Sequence, residues 1–159
     1  MSEATSTINK SSYEGREVEA LLPHRKPFLF VDRLTVVEKT RTVGEVTYTE
    51  DSWFFKGHFP GYPIVPGVIL IETLAQCGGA GLVATGQVPQ GGLFFLVGVD
   101  EAKFRRQVRP GDTLRMEVDT LRVSTRMAIQ HGKAFVGDEL AVEAEIRCVL
   151  APPASAPVA

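Results

Sequence analysis

Three residues have the types and spacing to do chemistry: His58, Glu72 and Gln76. His58 lies in GHFPGYPIVPG, where Pro60, Pro63 and Pro66 each remove a backbone donor and fix φ, so the stretch reads as a stiff extended loop. A neutral imidazole there is available as a base near neutral pH. Glu72 and Gln76 are four positions apart on a segment that reads as a helix, so they stack on one face. The helix opens at Pro66-Gly67, because proline suits a first helical turn. Val68, Ile69, Leu70, Ile71, Leu74 and Ala75 then make it apolar on nearly every side, the mark of a core helix. A carboxylate on such a helix costs free energy unless something pairs with it or uses it, and desolvation favours its proton-bearing form. A loop folded back over this helix would set a base beside an acid. The alternative is a loop histidine and a glutamate satisfied by a backbone amide.

The elements that must position these groups follow from the rest of the chain. The length of 159 residues suits one domain with a sizeable core. A formal net charge of −2 carries no nucleic-acid footprint. Cys77 and Cys148 have no metal-ligand spacing and read as two reduced, buried thiols, which fits a cytoplasmic protein. The polar start, residues 1–15, reads as disordered and not as a secretory signal, and the tail from 151 to 159 reads as disordered too. No apolar run looks long enough to span a membrane. Arg16 to Leu22 is a short helical candidate stopped by Pro23; His24, between two prolines, is a second ionisable candidate read as structural or positional. Phe28 to Val31 should be buried over the core, and Trp53, Phe54 and Phe55 should be core or lining residues.

Arg33 to Thr49 has the β-branched content of a strand. Gly78, Gly79, Gly81 and Gly86 late in the helix imply close packing against a sheet or a partner. Leu93 to Val99 is a continuous apolar run of the kind buried on both faces. Leu114, Met116 and Val118 alternate with charged residues, and the apolar phase slips at Leu121 and Val123, which implies a bulge. Val142, Ala144, Ile146, Cys148 and Leu150 alternate again after a turn near Gly137. One long buried helix with several alternating strands gives an α+β fold, an antiparallel sheet wrapped around a helix. Its edge strand invites pairing with a second copy.

HFPGYPIVPGVILIETLAQ resembles the signature of the 3-hydroxyacyl-[acyl-carrier-protein] dehydratases of the FabZ type. LPHRKPFLFVDR at Leu22 to Arg33, GVDEAKFRRQVRPGD at Gly98 to Asp112 and GKAFVGDELAVEAE at Gly132 to Glu145 fall in that family's order and spacing, so the resemblance covers about Ala20 to Leu150. It implies the hot-dog fold over a single domain, residues 16–150, with active sites at the interface of a homodimer and three dimers assembled into a hexamer. It also implies dehydration of a (3R)-3-hydroxyacyl-[acyl-carrier-protein] to the trans-2-enoyl product in fatty acid biosynthesis, with no metal or organic cofactor and neither nucleic acid nor membrane as partner. His58 of one subunit would face Glu72 of the other, and Gln76 would orient the carboxylate.

That chemistry needs a base for the α-proton, an acid for the leaving hydroxide and a donor for the thioester oxygen. His58, Glu72 and the backbone N–H of Gly67, at the positive end of the helix, suit these tasks. Phe94 and Phe95 are expected to line the acyl tunnel, where the family often has a gating tyrosine, and Tyr62 replaces a basic or polar residue of the family's loop. Lys103, Arg105, Arg106 and Arg109 could steer an acidic carrier protein, or could simply protect a strand edge. An acyl thioesterase on the same fold, or a dehydratase of a specialised polyketide-like pathway, is the competing reading.

Overall fold

The computed structural model describes residues 9–152. Its elements are β1 (Tyr13–Glu14), α1 (Arg16–Leu21), β2 (Arg33–Glu38), β3 (Arg41–Thr47), α2 (Gly67–Ala84), β4 (Leu93–Phe104), β5 (Thr113–Val123), β6 (Met127–Val136) and β7 (Glu139–Ala151). All strands join one antiparallel sheet in the order β1-β2-β3-β5-β6-β7-β4. The sheet wraps α2, which packs mainly on β2, β3, β5 and β6. This is the α+β architecture expected from the sequence.

The alternation in β5 and β7 holds: Leu114, Met116, Val118, Val142, Ala144 and Ile146 are buried against the helix. The phase slip near Leu121 is a register shift between Thr120 and Arg122, and it leaves Leu121 exposed. Gly137 makes the β6–β7 turn with φ 58°, in the left-handed region that favours glycine.

Several expectations are corrected. Arg33 to Thr49 is a hairpin of two strands, because the chain turns at Lys39-Thr40 without the Gly or Pro that usually marks a turn. Residues 9–15 are not disordered: Tyr13 is buried and pairs with Leu34, and Asn9 N–H donates to Ala84 O at 2.8 Å. Ala151 is ordered too, as the last residue of β7 paired with Leu93, and residues 1–8 and 153–159 of the two segments lie outside the described residues. α2 is in fact long and apolar enough to cross a bilayer by length and composition, yet 78% of it is buried within its own sheet, the setting of a core helix. Finally, β4 is an edge strand. Phe95, Leu96, Val97 and Val99 are exposed because no strand among the described residues lies beyond it. Val68, in the first turn of α2, is exposed as well, and so are Phe28 and Trp53, which were expected to be covered.

The glycines of α2 set its distance from the sheet. A Cβ at Gly81 would stand 1.8 Å from Thr42 Oγ1 of β3, and one at Gly78 would stand 2.2 Å from Gln130 Oε1 of β6. Through that opening Gln130 Nε2 donates to Gly78 O at 3.2 Å. The sheet meets the helix halfway at Gly44, whose added Cβ would lie 3.0 Å from Cys77 Sγ. Beneath the first half of the helix, Thr73 Oγ1 donates to Ile69 O and the Tyr48 hydroxyl lies 2.6 Å from Thr73 Oγ1. Burial pushes the Tyr48 phenol well above its ordinary range.

Gly81→Ala should therefore destabilise the fold although alanine is the better helix former by about 1 kcal/mol. Overpacking of this kind costs about 1–3 kcal/mol. Guanidinium unfolding should show a lower midpoint at an unchanged slope.

Candidate active site

His58 is held by backbone on both sides. Its N–H donates to Phe54 O at 3.0 Å, and its carbonyl accepts from Ile64 N–H at 3.0 Å. Its ring stacks on Phe59 with centroids 4.1 Å apart. Nδ1 lies 3.0 Å from Ile64 O. A carbonyl only accepts, so the neutral ring carries its proton on Nδ1 and keeps a lone pair on Nε2. The proline-rich loop thus fixes both the orientation and the tautomer of the imidazole.

His58 lines a cleft of about 380 Å³ with Ile64, Val65, Gly67, Leu70 and Phe104. Gly67 begins α2, and Pro66 offers no side-chain cap, so the first amides of the helix are left to other acceptors. A Cβ at Gly67 would sit 2.9 Å from the Phe104 ring, so only glycine brings this amide to the cleft without displacing that ring.

Glu72 lies one and a half turns further along α2 and lines a different and much smaller cavity of about 30 Å³, with Leu22, His24, Gln76, Phe94, Leu96 and Cys148. Gln76 governs its carboxylate. Phe30 N–H donates to Gln76 Oε1 at 2.7 Å, which fixes the amide's orientation. Gln76 Nε2 then donates to Phe28 O and to Glu72 Oε1, each at 3.0 Å. An oxygen that accepts from Gln76 is the poorer place for a proton, so Oε2 is left to carry one.

Within one chain, then, His58 does not meet Glu72: the loop turns the imidazole to the cleft by Gly67, while the carboxylate lines a separate cavity. The side chain beside Glu72 is His24, with Nε2 3.4 Å from Oε1. The sequence offered one signal for this, a second histidine braced by prolines, and nothing that paired it with Glu72. Phe94 reaches the Glu72 cavity and packs over Gly79. Phe95 does not, because successive strand residues point to opposite faces.

The basic stretch closes the His58 cleft, and two of its arginines are paired. Arg105 donates to Glu143 at 3.1 Å, and Arg106 pairs with Asp112 and Glu139 at 3.2 Å each. Hydrogen bonding to Arg105 holds the Glu143 carboxyl below its usual range. Arg109 stacks over the Tyr62 ring at 5.2 Å, and its guanidinium donates to the Tyr62 hydroxyl. Among the described residues, no group of three or more His, Cys, Asp or Glu is placed to hold a metal ion.

The sheet curled around one helix is the hot-dog fold. It superposes on a chain of the dehydratase heterocomplex ApeI:P from Xenorhabdus doucetiae with a TM-score of 0.74 at 20% identity, over 85% of this chain and 90% of that one. It also matches a hypothetical thioesterase from Streptococcus pneumoniae, with a TM-score of 0.57 at 9% identity over 77% and 87%. The fold alone therefore does not separate the two activities. The sequence does: residues 22–145 match the FabA-like domain, and the chain belongs to that family. It is 45% identical to the 3-hydroxyacyl-[acyl-carrier-protein] dehydratase FabZ of Moorella thermoacetica over 130 residues, 81% of this chain and 90% of that one. It is 46% identical to the FabZ of Chloroflexus aggregans over 134 residues, 82% and 91%.

Both thiols are shielded. Burial pushes Cys77 up to about 12 and Cys148 up to about 11, the latter helped by the charge of Glu72. Below the ordinary thiol value of 9.0 both states keep the proton. Above it only the unfolded chain releases it, so stability falls as pH rises toward the folded values. Cys148→Ala should flatten this fall: melting temperatures from pH 8 to 11 should converge with those of the parent at the alkaline end.

Proposed function

We propose that the protein dehydrates (3R)-3-hydroxyacyl-[acyl-carrier-protein] to the trans-2-enoyl thioester in fatty acid biosynthesis, in a cytoplasmic setting. One observation carries this beyond kinship: the two proton carriers are preset in opposite senses. His58 has its Nδ1 proton committed to Ile64 O and a lone pair free at Nε2. Glu72 has Oε1 committed to Gln76 and Oε2 free. His58 Nε2 takes the α-proton, the electron pair forms the C2–C3 double bond, and the C3–O bond breaks. Oε2 gives its proton to the departing hydroxyl, which leaves as water. Charge on the thioester oxygen meets the Gly67 amide at the start of α2. A proton then returns from imidazolium to carboxylate, directly or through water, and resets the pair.

The site is completed by a second copy. A 30 Å³ cavity at Glu72 holds little more than one water, far too little for an acyl chain. The exposed apolar edge of β4 and Val68 of α2 supply the surface for a homodimer in which His58 of one subunit faces Glu72 of the other. Three such dimers would make the hexamer, and Phe94 would line the tunnel.

His58→Ala and Glu72→Gln should each lower turnover by about 10²–10⁴-fold. Mixing the two inactive variants under subunit exchange should restore activity, since one site per mixed dimer then holds both groups. Proven exchange without recovery would overturn the site shared between two chains. Release of free thiol in place of enoyl product would make the enzyme a thioesterase.

Arg105 and Arg106 stand at the mouth of the His58 cleft, and with Lys103 and Arg109 they are four cations beside three carboxylates, a modest positive excess. The carrier-protein reading of this surface predicts that Arg105→Glu with Arg106→Glu raises KM for carrier-protein substrates far more than for small thioester mimics. Equal changes on both would assign these arginines to the fold alone.

A further inference from the structure

The His24 side chain is mostly buried beside Glu72, with 20% of it exposed. Its Nδ1 is buried and has no hydrogen-bond partner. Its Nε2 stands 3.4 Å from Glu72 Oε1. The tautomer follows from these two contacts. A proton on Nδ1 alone would point into a place with no acceptor and would turn a bare Nε2 lone pair toward a carboxylate oxygen. A proton on Nε2 alone faces Oε1. Protonating both would again strand an N–H donor at Nδ1, which costs free energy when buried. The other groups around the ring do not change this: Phe94 and Leu96 of β4 carry no charge, and Cys148 of β7 is a neutral thiol. The Arg25 guanidinium is engaged with the Leu22 and His24 carbonyls.

We infer that His24 is a positioning residue, a neutral Nε2–H donor that closes on Glu72 Oε1 in the loaded site and, together with Gln76, keeps the transferable proton on Oε2. The inference rests on the acid role proposed for Glu72. Oε1 then has a donor from each side, one from the α2 face and one from the turn after α1. Catalytic hydrogen bonds are often long before substrate binds, so a separation of 3.4 Å suits a contact that tightens on loading. The braced LPHRKP turn holds the imidazole in place as the GHFPGYPIVPG loop holds His58.

The test compares His24→Phe, His24→Gln, Glu72→Gln and the double variant His24→Phe/Glu72→Gln on a 3-hydroxyacyl thioester. His24→Phe should lower kcat about tenfold or more, the scale of one hydrogen bond to the carboxylate that Glu72 becomes as it gives up its proton, with KM unchanged. His24→Gln, which keeps an N–H donor, should recover most of that loss. In the Glu72→Gln background, His24→Phe should cost almost nothing more, because residues that act through one another are not additive. A multiplicative loss in that background, a change confined to KM, or wild-type kcat in His24→Phe overturns the role of His24 and leaves Glu72 as the acid. Wild-type kcat in Glu72→Gln itself removes the acid assignment and this inference with it. If His24→Phe does not fold, His24→Ala carries the same comparison.

Discussion

The structure depends on how closely one apolar helix can approach the sheet that covers it. α2 has no polar face to turn to water, so it must be enclosed, and a sheet encloses a helix only by curling. At Gly78 and Gly81 the helix has no side chains in the way, and at Gly44 and Gly132 the sheet has none. Thr42, Gln130, Cys77 and Leu74 fill the spaces those glycines leave. With the axis of α2 fixed in this way, Gly67, Glu72 and Gln76 occupy fixed points in the molecule. The chemistry at the start of the helix relies on packing at its end.

The division of labour around Glu72 is an example of a side-chain amide sorting two chemically equal oxygens. A carboxyl group on its own does not distinguish them. Gln76 does, because the Phe30 amide dictates which end of the Gln76 side chain is oxygen and which is nitrogen. The information passes from a backbone N–H in the turn before β2, through a buried amide, to one oxygen a turn back along the same face of the helix. His58 is sorted by the same device, a backbone carbonyl choosing between two ring nitrogens. Neither selection needs another charge in the site.

Much of this was legible in the sequence. The period of two in β5 and β7 survives because one face of each strand is buried and the other is wet. The core helix, the braced His58 loop and the Glu72–Gln76 stripe could be read because glycine, proline and a lone carboxylate in apolar surroundings have few other uses. The misreadings have a common physical origin. The apolar run in β4 announces a need for cover, but hydrophobicity does not say whether the cover comes from the same chain or another. The turn at Lys39-Thr40 and the partners of Gln76 and His58 are backbone features, and backbone carbonyls and amides leave no mark on sequence. His24 was hidden for the same reason: its meaning lies in what it faces across the fold and not in what flanks it.

The apolar character of α2 also bears on the order of events at the ribosome. The helix is complete at Ala84, but β5, β6 and β7, which enclose it, end only at Ala151. At synthesis rates of about 5–20 residues per second, the intervening 67 residues take roughly 3–13 seconds to appear. For that interval the nascent chain displays a segment that resembles a bilayer-spanning helix in length and composition, with α1 and the strands β1, β2 and β3 as the described elements already made to shelter it. The folded chain buries most of this segment, so its need for shelter is greatest before the later strands are made.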